Sequence, residues 1–97
     1  MARKKLSDEE IKNALFDLPG WNAENNNFRK RFEFKDFAKS LAFVNQVGAI
    51  AEQQNHHPDI TFGWGYAEFF ITTHDRGGLT ENDFDLAKKI EEIINRK

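Results

Sequence analysis

Hydrophobic and polar residues recur with a changing period along the chain, and the first third predicts a helix followed by a β-hairpin. Ser7 and Glu10 have the spacing of a capping box, which predicts a helix over residues 8–17. Residues 21–24 and 28–34 alternate between apolar and polar positions, as strands do. Three consecutive asparagines separate these two strands, and asparagine tolerates the left-handed backbone of a tight turn.

The remainder of the chain predicts a long central helix, a second hairpin and a closing helix. Asp36 can cap the central helix, and Thr80 can open the last one. Residues 60–64 and 67–74 alternate as two strands around Gly65-Tyr66, which is a connection of hairpin length. The apolar positions expected to face the core from the central helix are Phe37, Leu41, Val44, Val47, Gly48 and Ala51, with Phe43 and Ile50 widening the stripe.

The resulting order of elements, α-β-β-α-β-β-α, predicts an α+β fold. Strands joined by tight turns pair as neighbours, so we expect a four-stranded antiparallel sheet with the helices packed on one face. A chain of 97 residues buries roughly 60–65% of its unfolded surface and has room for one core. We therefore expect a single domain over residues 1–97, without an internal linker.

The composition argues against several classes of protein. The formal net charge of −2 disfavours sequence-independent nucleic-acid binding, which needs a concentrated basic surface. No apolar stretch approaches the roughly 20 residues of a membrane span, and the basic N-terminal residues lack the apolar run of a signal peptide. The absence of cysteine excludes disulfides and thiolate metal sites. We therefore expect a small cytoplasmic protein that contacts neither membranes nor nucleic acid directly.

All three histidines of the chain lie within one third of its length, between Glu52 and Asp83. His56 and His57 stand where the central helix gives way to a strand, because the proline that follows them forces an extended backbone. His74 alternates with the core-facing residues of its strand, so we expect it on the opposite face of the sheet. Pairing of the last two strands would bring His74 within reach of the other two histidines. Histidine exchanges protons near neutral pH, and such imidazoles beside a carboxylate suit general acid–base chemistry on a small molecule.

The other candidate residues have more than one interpretation. Glu52 lies four residues before His56, so the last helical turn can present both on one side, although Glu52 can equally be an ordinary exposed residue. Asp83 can be the third residue of a capping box with Thr80. Trp64 can be a core residue or the platform for a flat ring. A zinc site built from histidine and glutamate is the chemical rival, although structural zinc seldom uses such a set without cysteine.

The candidate residues follow one spacing, Glu52-x3-His56-His57-Pro58-x5-Trp64-x9-His74-x8-Asp83. This spacing resembles the signature of the pterin-4a-carbinolamine dehydratases, in which an acidic or polar residue, His-His-Pro, an aromatic residue, a third histidine and an aspartate follow one another. A bare His-His-Pro would be a weak signal, whereas the whole motif with its spacing is specific. The similarity covers nearly the whole chain and includes Gly20-Trp21-Asn22, Phe32-Glu33-Phe34-Lys35-Asp36-Phe37, Thr72-Thr73-His74 and Gly78-Leu79-Thr80-Glu81.

The resemblance implies an enzyme that dehydrates a 4a-hydroxytetrahydropterin to the quinonoid dihydropterin in the recycling of tetrahydrobiopterin. It implies no metal and no bound cofactor, because the carbinolamine substrate is already activated. By this resemblance His56 and His74 are the acid–base pair, and His57 binds or assists the departing hydroxyl. Glu52 and Asp83 orient or polarise these imidazoles. The residues implied to line the substrate site are Glu52, Asn55, His57, Trp64, Thr72, Thr73, His74 and Asp75.

The resemblance also implies protein partners. Members of the family are usually homo-oligomers, so we expect a homodimer or homotetramer, and Phe70, on the strand face opposite the core, suits a cleft or an association surface. A functional link to an aromatic amino-acid hydroxylase follows from the recycling role. The alternative function is that of a dimerisation partner and transcriptional coactivator, or of a pterin-binding scaffold without turnover. The joint presence of Glu52, three histidines and Asp83 favours the enzyme.

Overall fold

The helices and strands follow the predicted order in the computed structural model, which describes residues 5–73 and 78–95. Their bounds are α1 (Asp8–Phe16), β1 (Asn22–Glu24), β2 (Asn27–Glu33), α2 (Phe37–Gln54), β3 (Asp59–Gly63), β4 (Tyr66–Ile71) and α3 (Glu81–Asn95). The order α-β-β-α-β-β-α and the α+β class are therefore confirmed. Strand β4 ends earlier than predicted, at Ile71, and Thr73 forms only an isolated bridge with Gly78. His74 and Asp75 of the candidate site lie outside the described residues.

Both predicted hairpins lie side by side in one antiparallel sheet with the strand order β1-β2-β4-β3. The central strands β2 and β4 pair through Phe28↔Ile71, Lys30↔Phe69 and Phe32↔Ala67. The apolar members of these pairs are buried in the core, where they pack with residues of α2 and α3. The predicted arrangement, with the helices on one face of the sheet, is confirmed because one face of each central strand supplies the core.

Local sequence signals account for where the first two helices begin. Ser7 and Glu10 form a complete capping box, since the Ser7 hydroxyl accepts from the Glu10 N–H at 3.1 Å and the Glu10 carboxylate accepts from the Ser7 N–H at 2.8 Å. The Asp36 carboxylate likewise accepts from the Lys39 N–H at 3.0 Å at the start of α2. These predicted caps are confirmed, and they satisfy N–H groups that the first helical turn leaves unpaired.

The core-facing stripe of α2 differs from the predicted one. Phe43, Val47 and Ala51 are buried, whereas Phe37 and Leu41 are 45% and 38% exposed. The prediction that Phe37 and Leu41 face the core is therefore wrong. The helix packs against α3, β3 and β4 along the line through its buried residues, and this rotation leaves the early apolar positions outside. Neither α2, at 18 residues, nor any other helix in the described ranges is long and apolar enough to cross a membrane.

The second hairpin turns one residue earlier than predicted. Strands β3 and β4 pair through Gly63↔Tyr66, so the two-residue turn is Trp64-Gly65 instead of Gly65-Tyr66. Gly65 has a φ of 82°, which residues with a β-carbon rarely adopt. A β-carbon at this position would also lie 3.3 Å from the carbonyl oxygen of Phe34. The glycine therefore fixes the turn and leaves Trp64 at its tip.

A buried carboxylate ties α3 to the first hairpin. Oε2 of Glu91 accepts from the indole N–H of Trp21 at 2.8 Å and from the ammonium group of Lys30 at 2.6 Å. Lys30 also donates to the carbonyl of Pro19 at 2.7 Å. The side chains of Lys30 and Glu91 are only 18% and 10% exposed, so water screens their attraction weakly. Lys30 and Glu91 therefore compensate each other's charge inside the fold.

We expect Glu91→Ala to lower the free energy of unfolding by about 3 kcal/mol, because it leaves a largely buried ammonium group and an indole N–H without their partner. Urea unfolding followed by tryptophan fluorescence measures this loss. Glu92→Ala is the matched control, since Glu92 is the exposed neighbour in the same helix, and its effect should stay within about 0.5 kcal/mol. Similar losses in the two variants would contradict the role assigned to Glu91.

Candidate active site

The end of α2 directs His56 towards the last helix. Asn55 adopts the left-handed conformation, with φ 52° and ψ 42°, which asparagine tolerates better than most residues. The N–H of His56 donates to the carbonyl of Ala51 at 3.1 Å and closes the helix. This reversal brings Nε2 of His56 within 2.6 Å of Oδ1 of Asp83, in the first turn of α3. Asn55 contributes its backbone to this geometry, and the residue itself is exposed.

Asp83 is fully buried, and its two carboxylate oxygens have different hydrogen-bond partners. Oδ2 accepts from the N–H of Thr80 at 2.8 Å and from the hydroxyl of Thr73 at 2.9 Å. Oδ1 pairs with His56, whose side chain is 11% exposed. The capping interaction with Thr80 that the sequence predicts is present, and the same carboxylate also holds an imidazole. Asp83 is thus both the cap of α3 and the candidate residue that orients His56.

His57 faces a different carboxylate from His56. Its Nε2 lies 2.6 Å from Oε2 of Glu52. The expectation that Glu52 shares one side of the helix with His56 is wrong, because the helix ends at Asn55 and His56 turns towards α3. Adjacent residues of an extended segment project in opposite directions, which leaves His57 on the side of Glu52. This second pair is exposed, with 53% of the histidine and 78% of the glutamate side chain accessible.

The two histidine–carboxylate contacts determine which ring nitrogen of each histidine carries hydrogen. A carboxylate oxygen only accepts, so the nitrogen that faces it, Nε2 in both rings, is the donor. In the neutral imidazole Nδ1 is then the basic nitrogen. Nδ1 of His56 and of His57 is therefore the ring nitrogen that could accept a hydrogen bond or a proton.

The neighbouring threonines of the candidate site have different environments. Thr73 is buried, and its hydroxyl lies 2.9 Å from both the Thr80 hydroxyl and Oδ2 of Asp83. Thr72 faces the other side of the strand and donates to the carbonyl of Asn26 at 2.5 Å. Of the two, Thr73 belongs to the network around Asp83. The sequence marks Thr80 only as a helix cap, and its spacing carries no signal for the hydroxyl contact with Thr73.

Within one chain the structure does not bring Trp64 to His56 or His57. Trp64 lies at the turn between β3 and β4, whereas His57 precedes the opposite end of β3, which begins at Asp59. A strand of five residues spans roughly 13 Å between its first and last α-carbons. Trp64 is 71% exposed, so its interpretation as a core residue is wrong. Among the described residues, the structure forms two histidine–carboxylate pairs, His56 with Asp83 and His57 with Glu52.

His56 and His57 form two separate pairs with their carboxylates, and the imidazole nitrogen that faces each carboxylate is already engaged. A protein zinc site needs at least three ligands around one point. Across residues 5–73 and 78–95, no group of three or more histidine, cysteine, aspartate or glutamate side chains could hold a metal ion. This part of the chain therefore offers no preassembled metal centre.

The family follows from comparison with known proteins. The family model described as pterin 4 alpha carbinolamine dehydratase matches residues 4–93. This chain belongs to that family. A protein of Roseiflexus sp. (strain RS-1) is 48% identical over 90 residues, which cover 93% of this chain and 97% of the relative. A protein of Sulfolobus acidocaldarius is 44% identical over 89 residues, covering 92% and 98%, and both relatives are provisionally named pterin-4-alpha-carbinolamine dehydratases.

Solved structures share the fold of this dehydratase-family chain. A Brucella melitensis protein described as a transcriptional coactivator/pterin dehydratase superposes with a TM-score of 0.89 at 30% identity, over 93% of this chain and 98% of that one. A pterin dehydratase-like protein described as a RuBisCO assembly factor of the alpha-carboxysome has a TM-score of 0.64 at 23% identity, over 79% and 89%. The second likeness shows the fold alone.

We expect Asp83→Ala to lower the free energy of unfolding by about 3 kcal/mol, because it removes the helix cap and leaves the hydroxyl of Thr73 buried without its acceptor. Chemical unfolding monitored by circular dichroism measures the change. Asp85→Ala is the control, since Asp85 is an exposed carboxylate of the same helical turn. A loss below about 1 kcal/mol for Asp83→Ala would show that these hydrogen bonds do not stabilise the fold.

Proposed function

We propose that this chain dehydrates a 4a-hydroxytetrahydropterin to the quinonoid dihydropterin and water. The observation that carries the proposal is that the consecutive residues His56 and His57 each have a carboxylate on Nε2, which leaves Nδ1 as the basic nitrogen of each ring. Membership of the dehydratase family supports a pterin as the substrate. The role in tetrahydrobiopterin recycling, the cytoplasmic location and the link to an aromatic amino-acid hydroxylase belong to the same proposal.

The reaction moves two protons and breaks one bond. A base removes the proton from N5 of the pterin, and the electron pair forms the double bond between N5 and C4a. The bond between C4a and the hydroxyl oxygen breaks, and an acid protonates the departing hydroxyl to give water. The substrate and the two products balance without an oxidant or reductant. Proton transfer by positioned side chains of this kind contributes roughly 10²–10⁴-fold to a rate.

His56 is the proposed acid–base residue held most firmly in the described part of the chain. Its partner Asp83 is fully buried, so their interaction is less screened by water than that of an exposed pair. When Nδ1 takes up a proton, the Asp83 carboxylate stabilises the imidazolium. His57, exposed beside Glu52, is proposed to bind or assist the 4a-hydroxyl. His74, which lies outside the described residues, is proposed as the second member of the acid–base pair.

The pterin subsite is proposed around these imidazoles. The residues we assign to it are Glu52, Asn55, His57, Thr72, Thr73, His74 and Asp75, with Thr73 acting from behind Asp83. Trp64 is the exception among the residues predicted from the sequence, because it lies at the far end of the β3–β4 hairpin. The carbinolamine carries its leaving group on a carbon bonded to nitrogen, so we propose that the chain works without a metal or bound cofactor.

We expect His56→Ala to reduce kcat for pterin dehydration by at least about 100-fold, because it removes one of two proton-transfer groups. Ultraviolet-monitored dehydration of freshly generated 4a-hydroxytetrahydropterin, corrected for the uncatalysed reaction, measures the loss. Gln53→Ala is the control, since Gln53 is an exposed residue in the last turn of α2 and has no part in the proposed chemistry. Undiminished turnover by His56→Ala would refute the proposed mechanism.

A second candidate function, protein association, is favoured by exposed apolar side chains near the start of α2. Phe37 and Leu41 are 45% and 38% exposed, and Phe37 stacks on Phe62 of the edge strand β3 with ring centroids 5.7 Å apart. Apolar side chains grouped in this way are typical of interaction sites. The Brucella melitensis relative is described as a coactivator as well as a dehydratase, which supports a binding role in the family. We propose that a second copy of the chain covers this surface, in a homodimer or homotetramer.

We expect the double variant Phe37→Ser/Leu41→Ser to sediment at a lower mass than the unaltered chain, because it removes apolar area from the proposed contact. Analytical ultracentrifugation over a range of concentrations measures the change. Phe16→Ser is the matched control, since Phe16 is 82% exposed in α1, away from this surface. An unaltered chain that is monomeric at all concentrations, or a double variant of unchanged mass, would exclude this surface as the contact.

A further inference from the structure

We infer that Thr73 and Thr80 are positioning residues whose hydroxyls form a one-directional hydrogen-bond chain that fixes the Asp83 carboxylate behind His56. This inference rests on the proposed function. It gives Thr73 a different role from the other residues of the proposed pterin subsite, since its hydroxyl acts on Asp83 and not on the substrate. It also brings Thr80 into the site.

The direction of the chain follows from how many hydrogens each group has. The Asp83 carboxylate only accepts, and Thr73 has a single hydroxyl hydrogen, so that hydrogen lies on the 2.9 Å contact with Oδ2. The 2.9 Å contact between the two threonine hydroxyls must then be donated by Thr80. The Thr80 oxygen in turn accepts from the backbone N–H of Asn82 at 3.2 Å. The donors therefore run from Asn82 through Thr80 and Thr73 to Asp83.

The hydrogen-bond chain leaves Oδ1 of Asp83 as the carboxylate oxygen for the imidazole of His56. Oδ2 of Asp83 already accepts from the Thr73 hydroxyl and from the Thr80 N–H, on two sides. Oδ1 is consequently the oxygen that faces Nε2 of His56 at 2.6 Å. Rotation of the carboxylate would break both bonds to Oδ2, and all three residues Thr73, Thr80 and Asp83 are at most 5% exposed, so water could not replace them. The hydroxyl chain thus sets where the imidazole points.

Hydrogen bonds in such a chain strengthen one another, because each donor polarises the next group. The Thr73 hydroxyl donates to a carboxylate that must stabilise positive charge on His56 each time the ring takes up a proton. Without the Thr73 hydroxyl, Oδ2 loses one of the two donors that fix it, so the carboxylate can rotate away from His56. This misplacement weakens its contact with the imidazolium, which forms during turnover, more than it weakens substrate binding. The expected signature is a change in kcat without a comparable change in KM.

Four variants test the inference, each in the full-length chain. Thr73→Val keeps the shape of the side chain and removes the hydroxyl, and we expect kcat to fall by roughly 10- to 100-fold, the effect of losing one hydrogen bond to a charged group. Thr73→Ser restores the hydroxyl and should restore kcat to within about threefold of the unaltered chain. Thr80→Val removes a donor one step further from Asp83 and should have a smaller effect than Thr73→Val. Ser40→Ala removes a buried hydroxyl of α2 that donates to the Asp36 carbonyl, and should leave kcat unchanged.

The state of His56 is read independently of turnover by NMR of the ring nitrogens. In the unaltered chain we expect the hydrogen on Nε2, with a proton resonance downfield of the amides because it is bonded to a carboxylate. Thr73→Val and Thr80→Val should shift or broaden this resonance, whereas Thr73→Ser and Ser40→Ala should not. If Thr73→Val does not fold, Thr80→Val and Thr73→Ser give the same test. Thr80→Val should lower kcat and shift or broaden the resonance, whereas Thr73→Ser should leave the resonance unchanged and kcat within about threefold.

The outcomes separate this inference from the proposed function. One outcome would overturn the positioning role and leave the dehydratase proposal standing. In it, His56→Ala loses turnover, while both valine variants keep their kcat and an unchanged His56 resonance. The positioning role would also be overturned if Thr73→Val lowered the free energy of unfolding but kept full kcat in the folded fraction. The hydroxyl would then stabilise the fold without affecting catalysis. Full turnover by His56→Ala would refute the dehydratase mechanism, and a shifted Nε2 resonance in the valine variants would still support the hydroxyl chain.

Discussion

The Asp83 carboxylate lies where three parts of the chain meet: the first turn of α3, the segment after β4 and the residue that follows the end of α2. Desolvation of an unpaired carboxylate at such a position would be too costly for a small domain to tolerate. Thr80 and Thr73 therefore donate to one oxygen, and His56 to the other. The contacts that make the buried charge tolerable are also the contacts that orient the imidazole, so fold and candidate chemistry depend on the same group.

The two histidine–carboxylate pairs differ mainly in their access to water. The His56–Asp83 pair is enclosed, so water competes little for the hydrogen bond between them. The His57–Glu52 pair is open to solvent, where such a pair contributes little to the position of either side chain. One imidazole is thus held in place by the fold, while its neighbour can adjust to a ligand. This difference agrees with the proposed roles, in which His56 transfers a proton and His57 contacts the leaving group.

The order of elements follows from local pattern, because caps, turns and alternation depend on residues a few positions apart. Partners that lie far apart in the chain do not show such a pattern. Lys30 lies on the helix-facing side of β2, which signals a buried partner of opposite charge, but its carboxylate, Glu91, comes 61 residues later. The exposed positions of Phe37 and Leu41 likewise depend on how α2 is rotated against the sheet and α3, which its own apolar periodicity does not determine.

The sequence by itself determined the α+β order, the cap at Asp83 and the clustering of histidines, since each depends on spacing along the chain. The tertiary structure decided which carboxylate serves which imidazole. Helical spacing predicts that Glu52 accompanies His56, but the left-handed residue after α2 turns His56 towards Asp83, 27 residues away, and Glu52 pairs with His57. A single backbone reversal exchanges the partners, because side-chain direction after a helix end is set by the packing of the elements on either side.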